Sequence, residues 1–170
     1  MRLLIVLLLA SIHLYAFSYT ITANELNENI TKKFPIEKKI FLSKFIFSNP
    51  KFKIERVSDL ILFECNVSNS SISLNDGTIP TFRVYAKSDI RYDGQNIYLK
   101  KIDIQRIQNE KVSPKLEKKL KVGISLLLNL YFSKKPIYKI SEASYSMKIA
   151  NSVIDDVIIK DGVIKLLILE

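Results

Sequence analysis

A long helix is predicted in the second half of the chain, over residues 113–133. Ser113 is a suitable N-cap, and Pro114 suits the first helical turn because that position needs no backbone N–H donor. The helical pattern ends near Ser133, where two lysines and Pro136 follow. At ~1.5 Å per residue, about twenty helical residues span ~30 Å, which is the width of a small domain. The rest of the chain must therefore be arranged around this helix.

The two halves of the predicted helix differ in how much of their surface is apolar. In the first half, Leu116, Leu120 and Ile124 form one stripe among lysines. In the second half, the run from Leu126 to Phe132 is apolar on most sides. A wide apolar face has to be buried against more than one neighbour. We expect a curved sheet to provide that cover.

Most of the remaining chain has the pattern of antiparallel strands. Phe82, Val84 and Ala86 alternate with polar residues, which is typical of a strand with one buried face. Strands of this kind are predicted at residues 39–48, 51–57, 59–67, 78–91, 96–107, 137–140, 153–159 and 162–169. Their order along the chain gives a meander and not alternating βαβ units.

Three shorter segments carry further predictions. Thr22 and Glu25 have the spacing of a capping box, so a short amphipathic helix is expected over residues 23–33. The pair Asn49-Pro50 indicates a turn or a bulge, and in the second case the first two strands are one long bent strand. A weaker helical pattern covers residues 142–151. The expected fold is α+β, with a strongly curved antiparallel sheet wrapped around the long helix, plus the short N-terminal amphipathic helix.

Residues 1–18 have the pattern of a secretory signal peptide. A basic residue at position 2 precedes an apolar run that ends near Tyr15, and Ala16-Phe17-Ser18 is a small-x-small cleavage site. An uncleaved membrane anchor is the alternative, but a spanning helix needs ~20 apolar residues, and this run is shorter and carries His13. We expect cleavage before Tyr19 and export to the periplasm, with residues 19–170 forming a single domain.

The chain is strongly basic, with 26 Lys+Arg, 17 Asp+Glu and a formal net charge of +9. In a cytosolic protein this charge would suggest a nucleic acid partner, because clustered cations release counterions from phosphates. Export removes that partner, so nucleic acid is not expected. The expected partners are a lipid or another apolar small molecule, together with an anionic membrane surface. The protein is expected to be a monomer.

Few residues are available for catalysis. His13, the single histidine, lies in the predicted signal peptide, so the mature chain lacks the commonest general base and metal ligand. Cys65, the single cysteine, lies in an apolar strand and is expected to be a small buried hydrophobe. The carboxylates lack the spacing of a calcium loop, and no glycine-rich phosphate motif is present. We expect no catalytic residue, no cofactor and no metal site.

Asn66 is a candidate glycosylation site. Asn-x-Ser/Thr triplets begin at Asn29, Asn66 and Asn69, and Glu64 precedes Asn66 by two positions, as bacterial oligosaccharyl transfer requires. Triplets this short also arise by chance.

Several patches of the sequence resemble a known family. They are Tyr19-Thr-Ile-Thr22 followed by Glu25-Leu-Asn, the Ser113-Pro114 helix ending in Leu130-Tyr131-Phe132, then Lys135-Pro136-Ile137-Tyr138, and the final Lys160-Asp-Gly162-Val-Ile hairpin. Together they resemble the YceB-type bacterial lipoproteins, which were catalogued as a domain of unknown function. The resemblance implies a fold related to the tubular lipid-binding superfamily, in which a curved antiparallel sheet wraps a long helix and leaves an apolar cavity. Members typified by YceB carry a lipobox cysteine at the end of the signal, which this chain lacks, so it is not expected to be a lipoprotein.

We therefore expect a non-enzymatic envelope protein that binds a lipid or other apolar ligand between the sheet and the long helix. The candidate lining residues are Leu120, Ile124, Leu127 and Tyr131 from the helix, and Phe45, Phe47, Ile61, Phe63, Phe82 and Val84 from the sheet. The alternative for each of them is a place in a filled core, because packed interiors leave few voids.

Two competing functions remain open at the level of sequence. One is an envelope protein–protein interaction or scaffold module with a filled core and no small ligand. The other is a hydrolase or isomerase whose site is built from Asp, Glu, Tyr and Lys.

Overall fold

A computed structural model describes residues 18–40, 43–72, 77–109, 113–140, 154 and 156–167. In these residues the elements follow one another as β1 (Ser18–Ile21), α1 (Ala23–Thr31), β2 (Ile36–Ile40), β3 (Ser43–Ile54), β4 (Ile61–Asn69), β5 (Thr81–Tyr92), β6 (Asn96–Gln108), α2 (Pro114–Phe132), β7 (Tyr138–Lys139), β8 (Asp156–Lys160) and β9 (Val163–Leu167). The predicted α+β class is confirmed. Residues 1–17 of the predicted signal peptide and the helical pattern at 142–151 lie outside the described residues.

Both helices begin where their capping residues predict. In α1, Thr22 Oγ1 accepts a 3.3 Å hydrogen bond from the Glu25 N–H, and Glu25 Oε2 accepts a 2.7 Å bond from the Thr22 N–H. In α2, Ser113 Oγ accepts from the Leu116 N–H at 3.4 Å, and proline occupies the first turn. These bonds satisfy backbone donors that the helices themselves leave unpaired. The predictions of both helices are confirmed, with α1 ending two residues earlier than expected.

The strands form two antiparallel sheets. Strands β2 to β7 lie side by side in chain order in a six-stranded sheet, and β9 lies between β1 and β8 in a three-stranded sheet. Side chains of β4 are alternately buried and half-buried along its whole length, so one face of the large sheet is turned to the core. That face carries phenylalanines that are almost fully buried, among them Phe47, Phe52, Phe63 and Phe82.

Two predictions in the first part of the sheet need correction. The strand predicted over residues 39–48 belongs in fact to two strands, because β2 ends at Ile40 and β3 begins at Ser43, and these two residues are paired across a hairpin. The Asn49-Pro50 pair does not separate two strands; it is a bulge inside β3, with a register shift between Ser48 and Lys51. Proline has no N–H for the ladder and is accommodated where the ladder is interrupted. The alternative of one long bent strand is therefore confirmed.

The other predicted strands lie close to their predicted bounds, with one exception. Strand β7 is shortened to two residues, Tyr138 and Lys139. Strand β1 was not predicted, because four residues are too few to show an alternating pattern. It pairs with β9 from Ser18 opposite Leu167 to Ile21 opposite Ile164, so the two ends of the domain are joined in the small sheet.

An asparagine of α1 completes one edge of the large sheet. Strand β2 covers only the first five residues of β3, from Ser43 to Phe47. Farther along the same strand, Asn27 takes the place of a neighbouring strand. Its Nδ2 donates to the Phe52 carbonyl at 3.0 Å, and its Oδ1 accepts from the Phe52 N–H at 2.7 Å. The side-chain amide thus satisfies both backbone groups of one strand residue.

An asparagine of α2 does the same at the opposite edge. Strand β7 covers only Asn96 and Ile97 of β6. Next to Lys101, whose φ is +56°, the Asn129 Nδ2 donates to the Ile102 carbonyl and its Oδ1 accepts from the Ile102 N–H, both at 2.9 Å. Each helix is therefore fixed to one edge of the sheet by a two-point hydrogen bond to backbone.

Replacing either asparagine should destabilise the fold by more than an ordinary surface substitution. Asn27→Ala leaves the N–H and the carbonyl of Phe52 without their side-chain partner, and Asn129→Ala does the same to the N–H of Ile102, whose carbonyl keeps the bond from Ser125 Oγ. Each loss costs about 2–3 kcal/mol of unfolding free energy. Urea denaturation followed by circular dichroism measures this loss. Asn24→Ala, on the exposed side of α1, is the control and should change stability by less than about 0.5 kcal/mol. Equal stabilities of Asn129→Ala and the control would contradict the edge-completing role.

Candidate functional site

The ten residues predicted to line an apolar site are together called the helix–sheet interface. Nine of them are buried, and Tyr131 is half-buried and packs against the others. The buried members are Leu120, Ile124 and Leu127 from α2, Phe45 and Phe47 from β3, Ile61 and Phe63 from β4, and Phe82 and Val84 from β5. The structure therefore brings all ten into one continuous hydrophobic cluster.

Individual side chains connect α2 to the first three strands of the large sheet. The rings of Phe132 and Phe63 meet edge to face, with centroids 5.6 Å apart. A β carbon at Gly123 would lie 3.9 Å from Phe45 Cζ, which is ordinary van der Waals distance. Lys38 Nζ lies 5.2 Å from the centroid of the Tyr131 ring, within the range of a cation–π contact. Helix α2 thus reaches β4, β3 and β2.

Hydrogen bonds connect α2 to β6. Lys121 Nζ donates to the Gln105 carbonyl and Ser125 Oγ to the Ile102 carbonyl, both at 3.2 Å, and Asn129 adds its two-point bond. Among the residues that the structure describes, every hydrogen bond between α2 and the large sheet goes to β6. One side of the helix is therefore held by directional bonds, and the other side packs through apolar side chains and one cation–π contact.

Leu128, Phe132 and Phe52 also belong to this cluster and were not among the ten residues predicted from the sequence. Leu128 and Phe132 follow Ile124 at four-residue spacing and are 1% and 0% exposed, so the helical period alone was a sufficient signal for them. Phe52 was not predicted for a different reason. Phe45 and Phe47 face the core at odd positions, and the bulge at Asn49-Pro50 shifts the alternation so that an even position is buried next.

The titratable groups in the interior are held in their neutral forms. Burial, and secondarily the charge of Glu64, raises the pKa of the Cys65 thiol, which is 1% exposed. Burial also raises the pKa of Tyr138, with a smaller contribution from its hydrogen bond with Tyr19. A neutral thiol is a poor nucleophile and a neutral phenol is no base. The prediction that Cys65 is a buried core residue is confirmed.

The described part of the chain contains no cluster of three or more His, Cys, Asp or Glu side chains placed to hold a metal ion. No buried side-chain nitrogen or oxygen there lacks a hydrogen-bond partner. Buried polar groups left unpaired in a core often mark a ligand position, because they cost free energy until a partner arrives. In the described residues, the helix–sheet interface consequently presents apolar surface and no unpaired buried side-chain donor or acceptor.

Three clefts lined by described residues lie outside the core. A cleft of about 680 Å³ next to the β3 bulge is lined by Asn27, Thr31, Phe34, Pro35, Ser48, Asn49, Pro50, Lys51, Glu64 and Arg83. One of about 250 Å³ on the outer face of the sheet is lined by Lys51, Lys53, Leu62, Phe63, Glu64, Tyr85, Ala86 and Gln105. The third, the α2–β6 groove of about 560 Å³, is lined by Asp103, Ile104, Lys121, Val122, Ser125, Leu126 and Asn129. Of the ten interface residues, Phe63 alone lines any of these three.

The candidate glycosylation site lies in the middle of the large sheet. Asn66 belongs to β4 and is half-buried on the face opposite the core. Its register partners are Ser48 in β3 and Arg83 in β5. Modification at this position stays a prediction.

Comparison with known proteins assigns the chain to a family. Residues 21–163 match the model of a family described as "Protein of unknown function (DUF1439)". The match spans most of the chain, and the protein belongs to this family. No curated protein matches the chain. Within the described residues, neither helix has the combination of length and apolar character needed to cross a bilayer.

The thiol of Cys65 should be inert in the folded protein. Because the side chain is buried and its pKa is raised, Ellman's reagent at pH 8 should react at least about a hundredfold more slowly with native protein than with protein unfolded in guanidinium chloride. Absorbance at 412 nm measures the rate. The chain has a single cysteine, so no second thiol contributes to the signal. Rapid labelling of the native protein would contradict the buried position.

Proposed function

We propose that this protein is a non-enzymatic periplasmic protein that holds a lipid or another apolar molecule between α2 and the large sheet. The observation that carries the proposal is the unequal attachment of α2. Directional hydrogen bonds tie one side of the helix to β6, whereas the contacts with β3 and β4 are apolar. An apolar ligand can replace apolar contacts with equivalent ones, because dispersion and the hydrophobic effect have little directional preference.

A second part of the proposal is that the sheet curves around α2. Asn129 is bonded to β6, and Tyr131, two residues farther along, is in contact with Lys38 of β2. In a flat sheet, β2 and β6 would be separated by four strand spacings, or ~19 Å. Contacts of neighbouring helical residues with both strands support a curved sheet. A curved sheet around a helix of wide apolar surface is the architecture that the resemblance to tubular lipid-binding domains implies.

The composition of the interface favours binding by shape and apolarity. The interface contributes three leucine or isoleucine side chains from α2 and four phenylalanines from the sheet, all buried. Ligand pockets are mainly apolar, with a few polar groups to fix the orientation of the ligand. Here such groups would have to lie at the rim, and a lipid chain with its polar head at the surface meets that requirement.

The competing function is an envelope interaction module with a filled core. It is supported by one observation: nine of the ten interface residues are buried in a continuous cluster, and of the ten only Phe63 lines one of the three clefts described above. In that case the outer surface would carry the function and the interior would carry none.

Extraction of the purified protein should distinguish the two functions. Native mass spectrometry followed by solvent extraction should detect a reproducible apolar molecule, and the emptied protein should take up the fluorescent probe 1-N-phenylnaphthylamine. Gly123→Leu places a large side chain toward Phe45 and should reduce probe binding by about tenfold or more. Val122→Leu, on the exposed side of α2, is the matched control and should bind as the wild type does.

The smaller change Gly123→Ala shows whether Gly123→Leu acts by filling the ligand site or by destabilising the protein. Its β carbon meets Phe45 at ordinary contact distance, and alanine favours a helix over glycine by about 1 kcal/mol, so this variant should be more stable and still bind the probe. A wild-type protein that neither carries an apolar molecule nor takes up the probe would reject the ligand-binding proposal and leave the interaction module.

Export has its own test. We infer cleavage before Tyr19, so the intact mass of protein recovered from the periplasm of an expressing bacterium should correspond to residues 19–170. Because β1 begins at Ser18, this cleavage leaves Tyr19, Thr20 and Ile21 available for pairing with β9. Placing lysine at Leu7 and Leu8 interrupts the apolar run and should keep the uncleaved chain in the cytoplasm. Cytoplasmic recovery of the wild-type chain at full length would refute the assignment.

A further inference from the structure

Helix α2 has a second apolar surface, on the side that faces away from the sheet. Val122, Leu126 and Leu130 are 69%, 52% and 53% exposed. They lie four residues apart and therefore on one face of the helix. Val57 and Ile79 are the other large apolar side chains recorded as exposed in the described residues, and each lies in a different segment of the chain. The exposed apolar surface is thus concentrated on one helix face.

Lysines extend this face toward the start of the helix. Lys115 and Lys119 are exposed, and their spacing of seven and three residues before Val122 places them on the same side. We call Lys115, Lys119, Val122, Leu126 and Leu130 the outer stripe. Lys118 lies at the margin of the stripe, and Lys134 and Lys135 follow the last turn, all three exposed.

No described ion pair involves a lysine of the outer stripe. The ion pair of α2 joins Glu117 and Lys121 at 3.2 Å, and both of these residues lie on other sides of the helix. The positive charge of the stripe is therefore available to an external partner. From Lys115 to Leu130 the stripe is roughly 22 Å long at ~1.5 Å per residue. Its basic half comes first along the helix axis, and its apolar half follows.

We propose that the outer stripe docks on the surface of an anionic lipid bilayer, with α2 lying parallel to the membrane plane. Its aliphatic side chains would enter the boundary between head groups and acyl chains, and its lysines would contact the anionic head groups. Lysine suits this position because its aliphatic stem packs on apolar surface while the ammonium group stays in water. The adjoining α2–β6 groove, lined in part by Val122 and Leu126, leaves these side chains uncovered on their other side.

The composition of the stripe favours a membrane over a protein partner. Protein interfaces are enriched in Tyr, Trp and Arg and depleted in Lys. The outer stripe contains no aromatic residue and no arginine, and two of its five residues are lysine. Leucine on the apolar face and lysine on the polar face are typical of helices that lie in the membrane interface.

Vesicle flotation with the purified protein tests this docking. Vesicles of equimolar phosphatidylglycerol and phosphatidylcholine should carry the protein upward in a density gradient, and vesicles of phosphatidylcholine alone should bind it much more weakly. Binding should fall steeply when the salt concentration is raised to 0.5 M, because exposed charges are then screened. Each of Lys115→Gln and Lys119→Gln should weaken binding about fivefold.

The apolar half of the stripe is tested by the triple variant Val122→Asn, Leu126→Asn and Leu130→Asn. It keeps every charge and should bind about tenfold or more weakly, because three aliphatic side chains no longer enter the interface. Val57→Asn, at the most exposed apolar residue outside the stripe, is the control and should bind as the wild type does. Circular dichroism verifies that the variants fold.

Two results would overturn the docking proposal. One is vesicle binding that is equal for the wild type and the triple variant. The other is a dimer, detected by sedimentation, that only the triple variant fails to form, since the stripe would then be an interface between copies of the chain. The docking proposal does not depend on the interior ligand, because the stripe residues lie outside the helix–sheet interface. Uptake of the fluorescent probe by the triple variant should therefore match that of the wild type, whatever the result of the vesicle experiment.

Discussion

The position of α2 depends on a small number of hydrogen bonds from side chains to strand backbone. The six-stranded sheet has outer strands that are shorter than their neighbours, so parts of β3 and β6 have no strand partner on one side. Asn27 and Asn129 fill these positions with side-chain amides. A free edge of a sheet is a site for unwanted pairing with other chains, and covering it with a helix removes that risk. Edge protection and helix placement are therefore achieved by the same two residues.

With α2 fixed in this position, its sides lie in different environments. The side turned to the sheet is buried with Phe63, and the side bonded to β6 contains Ser125 and Asn129. The remaining side is exposed and apolar in its second half. Stability alone would favour polar residues there, because exposed leucine gains nothing from folding. An apolar surface that folding does not bury is understandable if a partner buries it, and the partner proposed above is a membrane.

The sequence predicted most elements because their signals are local. Thr22 with Glu25 and Ser113 with Pro114 determine helix starts through bonds within one turn, and alternation of polar and apolar residues marked β5 and β6. The hairpin between Ile40 and Ser43 was missed because the sequence there contains no Gly, Pro, Asn or Asp to indicate a turn. The role of Asn129 could not be predicted either. An asparagine beside the apolar face of a helix normally faces water, and only the folded chain shows that a strand without a neighbour lies opposite it.

The small sheet joins the first and the last described strands of the domain. Ser18 to Ile21 pair with residues near Leu167, so almost the whole chain is enclosed between the two partners. During synthesis β1 emerges from the ribosome well before β9, with which it pairs. Pairing β1 with β9 closes a long loop, which costs more conformational entropy than pairing strands that are neighbours in the sequence. The three-stranded sheet is therefore completed only once β9 has left the ribosome, and a nascent polypeptide that still lacks β9 remains incompletely folded.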